Sequence, residues 1–225
     1  EKLQGFKARG AAVNSAIFNS ENQTLFFAKE DGVTMLNLQG KPLKKLSSNF
    51  SNMAISPTGH TIATFGGDDT VKLWNLEGEE IETLSMNWGC NVLVGVNDVA
   101  FSPDDQTLAT VCLEGTVKVW NLKTKTELNI LPGYHGSIWL GTPTKKLVFS
   151  PDGQTIASTT VDNSVKLWNW QKKKVKTLSG HSQVVNSVAF SPNGQFLATA
   201  SQDRTIKLWN LEGKELRTFT GHGQA

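Results

Sequence analysis

The feature that most limits how this chain can fold is one spacing that returns along it. Val99-Ala100-Phe101-Ser102-Pro103-Asp104, Leu147-Val148-Phe149-Ser150-Pro151-Asp152-Gly153 and Val188-Ala189-Phe190-Ser191-Pro192-Asn193-Gly194 are near copies of one another. Nineteen residues after each Phe stands a Trp-Asn pair: Trp120-Asn121, Trp168-Asn169 and Trp209-Asn210. A fourth copy runs from Ile55-Ser56-Pro57 to Trp74-Asn75 at the same distance, and a worn fifth from Phe18-Asn19-Ser20 to Leu36-Asn37 with a gap of eighteen. From one anchor to the next the steps are 37, 46, 48 and 41 residues. A fixed interior with variable connections is the mark of one structural module repeated with adjustable loops.

Within a copy the pattern is that of short strands. In the last one Val185 to Phe190 alternates and stops at Ser191-Pro192-Asn193-Gly194, with Pro at the second turn position and Gly at the fourth. Gln195 to Ser201 reads as the second strand, Thr205 to Leu211 as the third and Glu215 to Thr220 as the fourth, with turn residues between. No useful helical period is present, and strands at this pitch indicate an all-β fold.

The totals agree with a globular chain. It has 225 residues, 38% of them hydrophobic and 19% charged, with a net charge of +2. Apolar runs are too short to span a membrane, and the N-terminus does not read as a signal peptide. Arginines are only three, Arg9, Arg204 and Arg217, so the dense Arg-bearing face of a nucleic-acid binder is missing. Cys90 and Cys112 make neither a disulfide framework nor a metal cluster, which points to a reducing compartment, the cytoplasm. The four histidines have no ligand spacing, so neither a metal nor another cofactor is expected.

Gly180-His181, Ser191-Pro192-Asn193-Gly194, Asp203 and Trp209-Asn210 resemble the signature of WD40 repeats, and five units in phase carry the resemblance over almost the whole chain. Its style is similar to the self-similar WD40 arrays of bacteria, cyanobacteria above all. The resemblance implies a β-propeller of four-stranded antiparallel blades, with units at about 1–46, 47–84, 85–131, 132–178 and 179–222. Family propellers have about seven blades. The start, Lys2-Leu3-Gln4-Gly5-Phe6, resembles a fourth strand and Thr220-Gly221-His222 the opening of a sixth unit, so a slice of a longer array is expected. A five-bladed ring and closure by oligomerisation are the alternatives.

The family also implies a hydrogen-bonded tetrad of His, Ser or Thr, Asp and Trp inside each blade. The last blade offers His181, Thr199, Asp203 and Trp209; the fourth Ser158, Asp162 and Trp168, with His135 as a donor from a longer loop; the second Thr64, Asp68 and Trp74. The third has Thr110 and Trp120 but Glu114 for Asp, and the first has Phe26, Glu30 and Leu36. A Ser-His-Asp triad is a poor reading of this set. An enzyme needs one site, not five, and a hydroxyl tied to an indole is committed to structure.

Function is therefore expected in the connections. Two are long: Ser85 to Val96, with Trp88, and Pro132 to Pro143, with Tyr134 and Trp139. These aromatics read either as anchors for a partner protein or as rings folded back over blades with weak tetrads. The expected role is a non-catalytic interaction scaffold or sensor, with an effector domain attached elsewhere by family analogy. A five-bladed glycoside hydrolase needs paired carboxylates, and the first strands of the units offer Asp98 alone. Nucleic-acid binding through lysine-rich connections such as Lys172-Lys173-Lys174 is the other alternative.

Overall fold

The computed structural model describes residues 13–19, 23–29, 32–46, 52–65, 70–85, 95–112, 116–131, 146–160 and 162–221. These residues hold twenty strands and no helix, in five separate sheets of four antiparallel strands. The first blade is β1 (Val13–Asn19), β2 (Thr24–Lys29), β3 (Gly32–Asn37) and β4 (Pro42–Leu46). The second is β5 (Asn52–Ile55), β6 (Ile62–Phe65), β7 (Thr70–Trp74) and β8 (Glu80–Ser85). The third is β9 (Val96–Phe101), β10 (Thr107–Cys112), β11 (Val117–Asn121) and β12 (Thr126–Leu131). The fourth is β13 (Leu147–Phe149), β14 (Thr155–Thr159), β15 (Val165–Asn169) and β16 (Lys174–Leu178), and the fifth β17 (Val185–Phe190), β18 (Phe196–Ser201), β19 (Thr205–Asn210) and β20 (Glu215–Thr220). In every blade the strands lie in chain order, a four-stranded meander.

Turn chemistry sets the strand ends. Between the first two strands of the last blade, Gly194 N–H donates to Ser191 O at 2.8 Å, and Asn193 Oδ1 receives Gln195 N–H at 3.1 Å. That capture of Gln195 is why β18 begins one residue later than the sequence pattern indicates. Gly194 has φ +69°, a left-handed value that glycine adopts without steric cost. The third blade has no glycine at this place, and Asp105 takes φ 58° instead. The turn between third and fourth strands is held by the Asn of each Trp-Asn pair, or of Leu36-Asn37 in the first blade. Asn75 Oδ1 accepts Glu79 N–H and Asn210 Oδ1 accepts Lys214 N–H, both at 2.8 Å, and Asn37, Asn121 and Asn169 cap their turns likewise.

The chain divides into two compact units, Glu1–Met86 and Asn87–Ala225, where the sequence pattern suggests one continuous array. In the first unit Met53, Ile62 and Trp74 of the second blade pack on Phe26, Val33 and Met35 of the first. In the second unit the same contact occurs twice. Ile156 and Trp168 pack on Ala109, Val117 and Val119, while Leu197 and Trp209 pack on Ala157, Val165 and Leu167. In these two joints a small residue on the second strand and branched ones on the third form the bed for the next blade's Trp. Truncating such a Trp to Ala removes about 3–5 kcal/mol.

Polar straps cross the same joints. Lys44 Nζ donates to Glu77 O at 2.7 Å, Asn129 Nδ2 to Trp170 O at 2.7 Å and Lys176 Nζ to Leu211 O at 2.9 Å. Each runs from an outer strand to the turn of the following blade within one unit. Gly78 and Gly213 make room for two of them: a Cβ there would stand 2.6 Å from Lys44 Cδ and 3.0 Å from Lys176 Cδ.

Candidate functional site

The last blade contains a continuous chain of hydrogen bonds. Trp209 Nε1–H donates to Thr199 Oγ1 at 2.9 Å across the β18–β19 ladder. The same oxygen lies 2.7 Å from His181 Nε2, and His181 Nδ1 lies 2.7 Å from Asp203 Oδ2. One arrangement of protons satisfies every group: the Thr199 hydroxyl donates to Nε2, and Nδ1–H donates to the carboxylate. Gly180, just before the His, allows close approach, since a Cβ there would meet Trp209 Cη2 at 3.1 Å.

Asp203 also receives Thr205 Oγ1–H at 2.6 Å, Thr205 N–H at 2.9 Å and Ser182 N–H at 3.0 Å. Desolvation alone would raise its pKa. The bonds from Thr205, His181 and the two backbone amides outweigh that and hold it well below the usual carboxylate range. An aspartate so saturated fixes a loop and is a poor proton acceptor for chemistry. Next to it an open hollow of ≈ 360 Å³ is lined by Gln183, Asn186, Gln202 and Arg204.

The other blades keep part of this chain. The indoles of Trp74, Trp120 and Trp168 donate to Thr64 at 2.8 Å, Thr110 at 3.2 Å and Ser158 at 3.0 Å. Asp162 lies in its blade's turn and accepts from Thr160 and from the Ser164 hydroxyl and amide, so its partners are local. Burial works to raise its pKa, and these bonds bring it below the ordinary value. Asp68, Glu114, His135 and Glu30 lie outside the described residues.

In the first blade the register corrects the sequence reading. Phe27 pairs with Thr34 two residues before Leu36, as Thr64 pairs with Lys72 two before Trp74. Phe27, not Phe26, therefore occupies the hydroxyl position, because the turn between β2 and β3 is one residue shorter. Phe26 is buried in the joint with the second blade.

Asp98 is a second buried acid, and it serves a joint between blades. It stands on β9 where the last blade has Ser187, with the same register shift beside it. Its Oδ2 accepts Leu147 N–H at 2.8 Å from the next blade, and Lys146 Nζ stands 3.9 Å from Oδ1. Burial raises its pKa to about 6, against the pull of Lys146 and of the Leu147 and Val99 amides. A raised carboxylate pKa also suits a general acid, but this carboxylate binds a neighbouring backbone.

Trp88, Tyr134 and Trp139, the sequence candidates for partner contact, lie outside the described residues. The cysteine reading needs correction. Cys112, at the buried end of β10, is disulfide-bonded, and the sequence holds one other cysteine, Cys90, outside the described residues. Among the described residues no group of three His, Cys, Asp or Glu side chains is placed to hold a metal ion, and no helix is long and apolar enough to cross a membrane.

The family model of the WD domain, G-beta repeat (WD40), matches residues 40–75, 89–121, 127–169 and 172–210. Each matched segment ends on the Asn of a Trp-Asn pair; the first, third and fourth take in the outer strand of one blade and run to the third strand of the next, and the second begins after β8. No curated protein matches the chain.

Proposed function

We propose, for a chain that belongs to the WD40-repeat family, that it is a non-catalytic module that holds another protein or domain against its β blades. WD40 repeats in general mediate contacts between proteins. The observation that carries the reading is the fate of the reactive groups. Thr64, Thr110, Ser158 and Thr199 each accept an indole N–H, and His181 is held between Thr199 and Asp203. Groups so committed position loops; they do not attack substrates.

The partner surface in this reading takes in the Gln183–Arg204 hollow beside the Asp203 turn, and the sequence candidates for contact are Trp88, Tyr134 and Trp139. In this reading an effector domain is joined to the array. The test is affinity capture from an extract of the source organism, comparing the natural chain with a Trp88→Ala/Trp139→Ala variant. Loss of a captured protein at unchanged melting temperature supports the reading. A large fall in melting temperature assigns these rings to packing. Turnover of a model glycoside that Asp98→Asn abolishes would overturn it in favour of an enzyme.

A further inference from the structure

We propose that the outer edge of the fourth blade, β16 with the turn before it, binds an acidic protein segment in extended form. The proposal rests on the interaction-module reading and gives one of its surfaces a partner chemistry.

The argument begins with a pattern in the other blades. In the second, third and fifth, a Lys two residues before the Trp meets a Glu on the outer strand: Lys72–Glu80 at 2.9 Å, Lys118–Glu127 at 3.2 Å and Lys207–Glu215 at 2.9 Å. The Glu stands opposite the Trp because the pairing with the outer strand shifts there, between Leu73 and Trp74, Val119 and Trp120, and Leu208 and Trp209. The first blade shifts too, with Pro42 opposite Leu36. The fourth departs twice. Val175 stands opposite Trp168 where those blades have the Glu, and the pairing from Val165–Leu178 to Asn169–Lys174 runs with no shift.

Both departures change the edge. Lys166 lies over the Trp168 ring at 5.4 Å, and neither it nor Lys174 has an ion pair among the described residues. Lys172, Lys173, Lys174 and Lys176 are exposed on the same hairpin. Residues 146–178 hold six lysines and two aspartates, so this blade's excess of positive charge is larger than the +2 of the whole chain. A bulge blunts a sheet edge against pairing, and β16 lacks the one that the other four outer strands have. Its lysines repel a second copy of the same edge and favour an acidic strand.

Beside β16 a groove of ≈ 290 Å³ has Leu167, Val175 and Leu211 in its lining, flanked by Lys174 and Lys176. Val175 is 51% exposed. The groove suits one apolar side chain of a segment whose other residues are Asp or Glu. Nucleic acid fits less well. No Arg lies in residues 146–178 to fork a phosphate, and the Trp170 indole already donates to Gly153 O at 2.9 Å.

The test is fluorescence anisotropy with a short fluorescein-labelled peptide of Glu and Asp around one Leu. The controls are the same peptide with Gly for Leu and a single-stranded oligothymidylate of equal charge, at matched salt. Lys174→Glu reverses one charge on the exposed outer strand, so it is expected to keep the fold and weaken peptide binding about tenfold. Val175→Ser is expected to weaken only the Leu peptide. Absence of binding, indifference to Lys174→Glu, or tighter binding of the oligonucleotide would each overturn the proposal. If the peptide fails while extract capture still depends on Trp88 and Trp139, the edge proposal falls and the module reading stands; failure of both sinks both.

Discussion

Replacing Thr199 by Val tests the tetrad with little change of shape. The methyl that takes the place of the hydroxyl fills the same space, so no cavity opens. Two buried polar groups lose their partner: the indole N–H of Trp209, at 2.9 Å, and His181 Nε2, at 2.7 Å. Both side chains are 2% exposed, so water does not replace the lost bonds. At about 1–3 kcal/mol for each unsatisfied buried group, the cost is about 2–6 kcal/mol. Thr64→Val in the second blade and Ser158→Ala in the fourth strand one described group each, the indoles of Trp74 and Trp168, and should cost about 1–3 kcal/mol. Urea unfolding followed by tryptophan fluorescence gives the totals. Amide hydrogen exchange gives the place, since repeat arrays open locally. Exchange in Thr199→Val should quicken in β17 to β20 before the other blades. A cost no greater than that of Thr64→Val, or faster exchange centred elsewhere, would refute the reasoning.

Asp98 should make stability fall as pH rises. Its folded pKa of about 6 lies above the ordinary 3.8, so the native state holds the proton more tightly, and stability declines between those values and levels above them, by about 3 kcal/mol at most. Asp98→Asn keeps an acceptor for Leu147 N–H and should flatten that decline in urea titrations at a series of pH values. Gly78→Ala should cost about 1–2 kcal/mol, from φ +72° and a Lys44 stem 2.6 Å away. Gly153→Ala, at φ +70° with its nearest neighbour 3.6 Å away, should cost less in the same thermal melts. Thiol titration of the denatured, unreduced chain should find no free cysteine, and reduction should remove about 2–4 kcal/mol of stability. Two reactive thiols would return the chain to the reducing compartment its cysteine count suggests.

The blades were legible because their cause is local. The Phe-to-Trp step spans three strands and two turns whose residues all lie inside one copy, and the Ser-Pro turns and Trp-Asn pairs repeat with it. Contacts between copies were not legible. Asp98 meets Leu147 across a connection whose length differs from blade to blade, and the Asn129 to Trp170 strap joins residue types that are not repeated at the other joints. Counting along the eighteen-residue copy puts Phe26 at the hydroxyl position, and only the strand register, which puts Phe27 there, shows where the short turn lies. Two signals were present and unread. The Asn after the Trp, or after Leu36 in the first copy, recurs in all five copies as a turn cap, and the Lys–Glu pairing breaks in the fourth copy, where Val175 stands opposite Trp168.

The central claim is that these hydroxyls and indoles serve architecture and not chemistry, and indole N–H exchange measured by NMR on the ¹⁵N-labelled chain tests it most directly. The account predicts slow exchange for Trp74, Trp120, Trp168 and Trp209, with Thr199→Val releasing Trp209 and leaving the other three protected. Rapid exchange of all four in the folded chain, together with labelling of Ser158 by a fluorophosphonate, would show hydroxyls available for attack and contradict it.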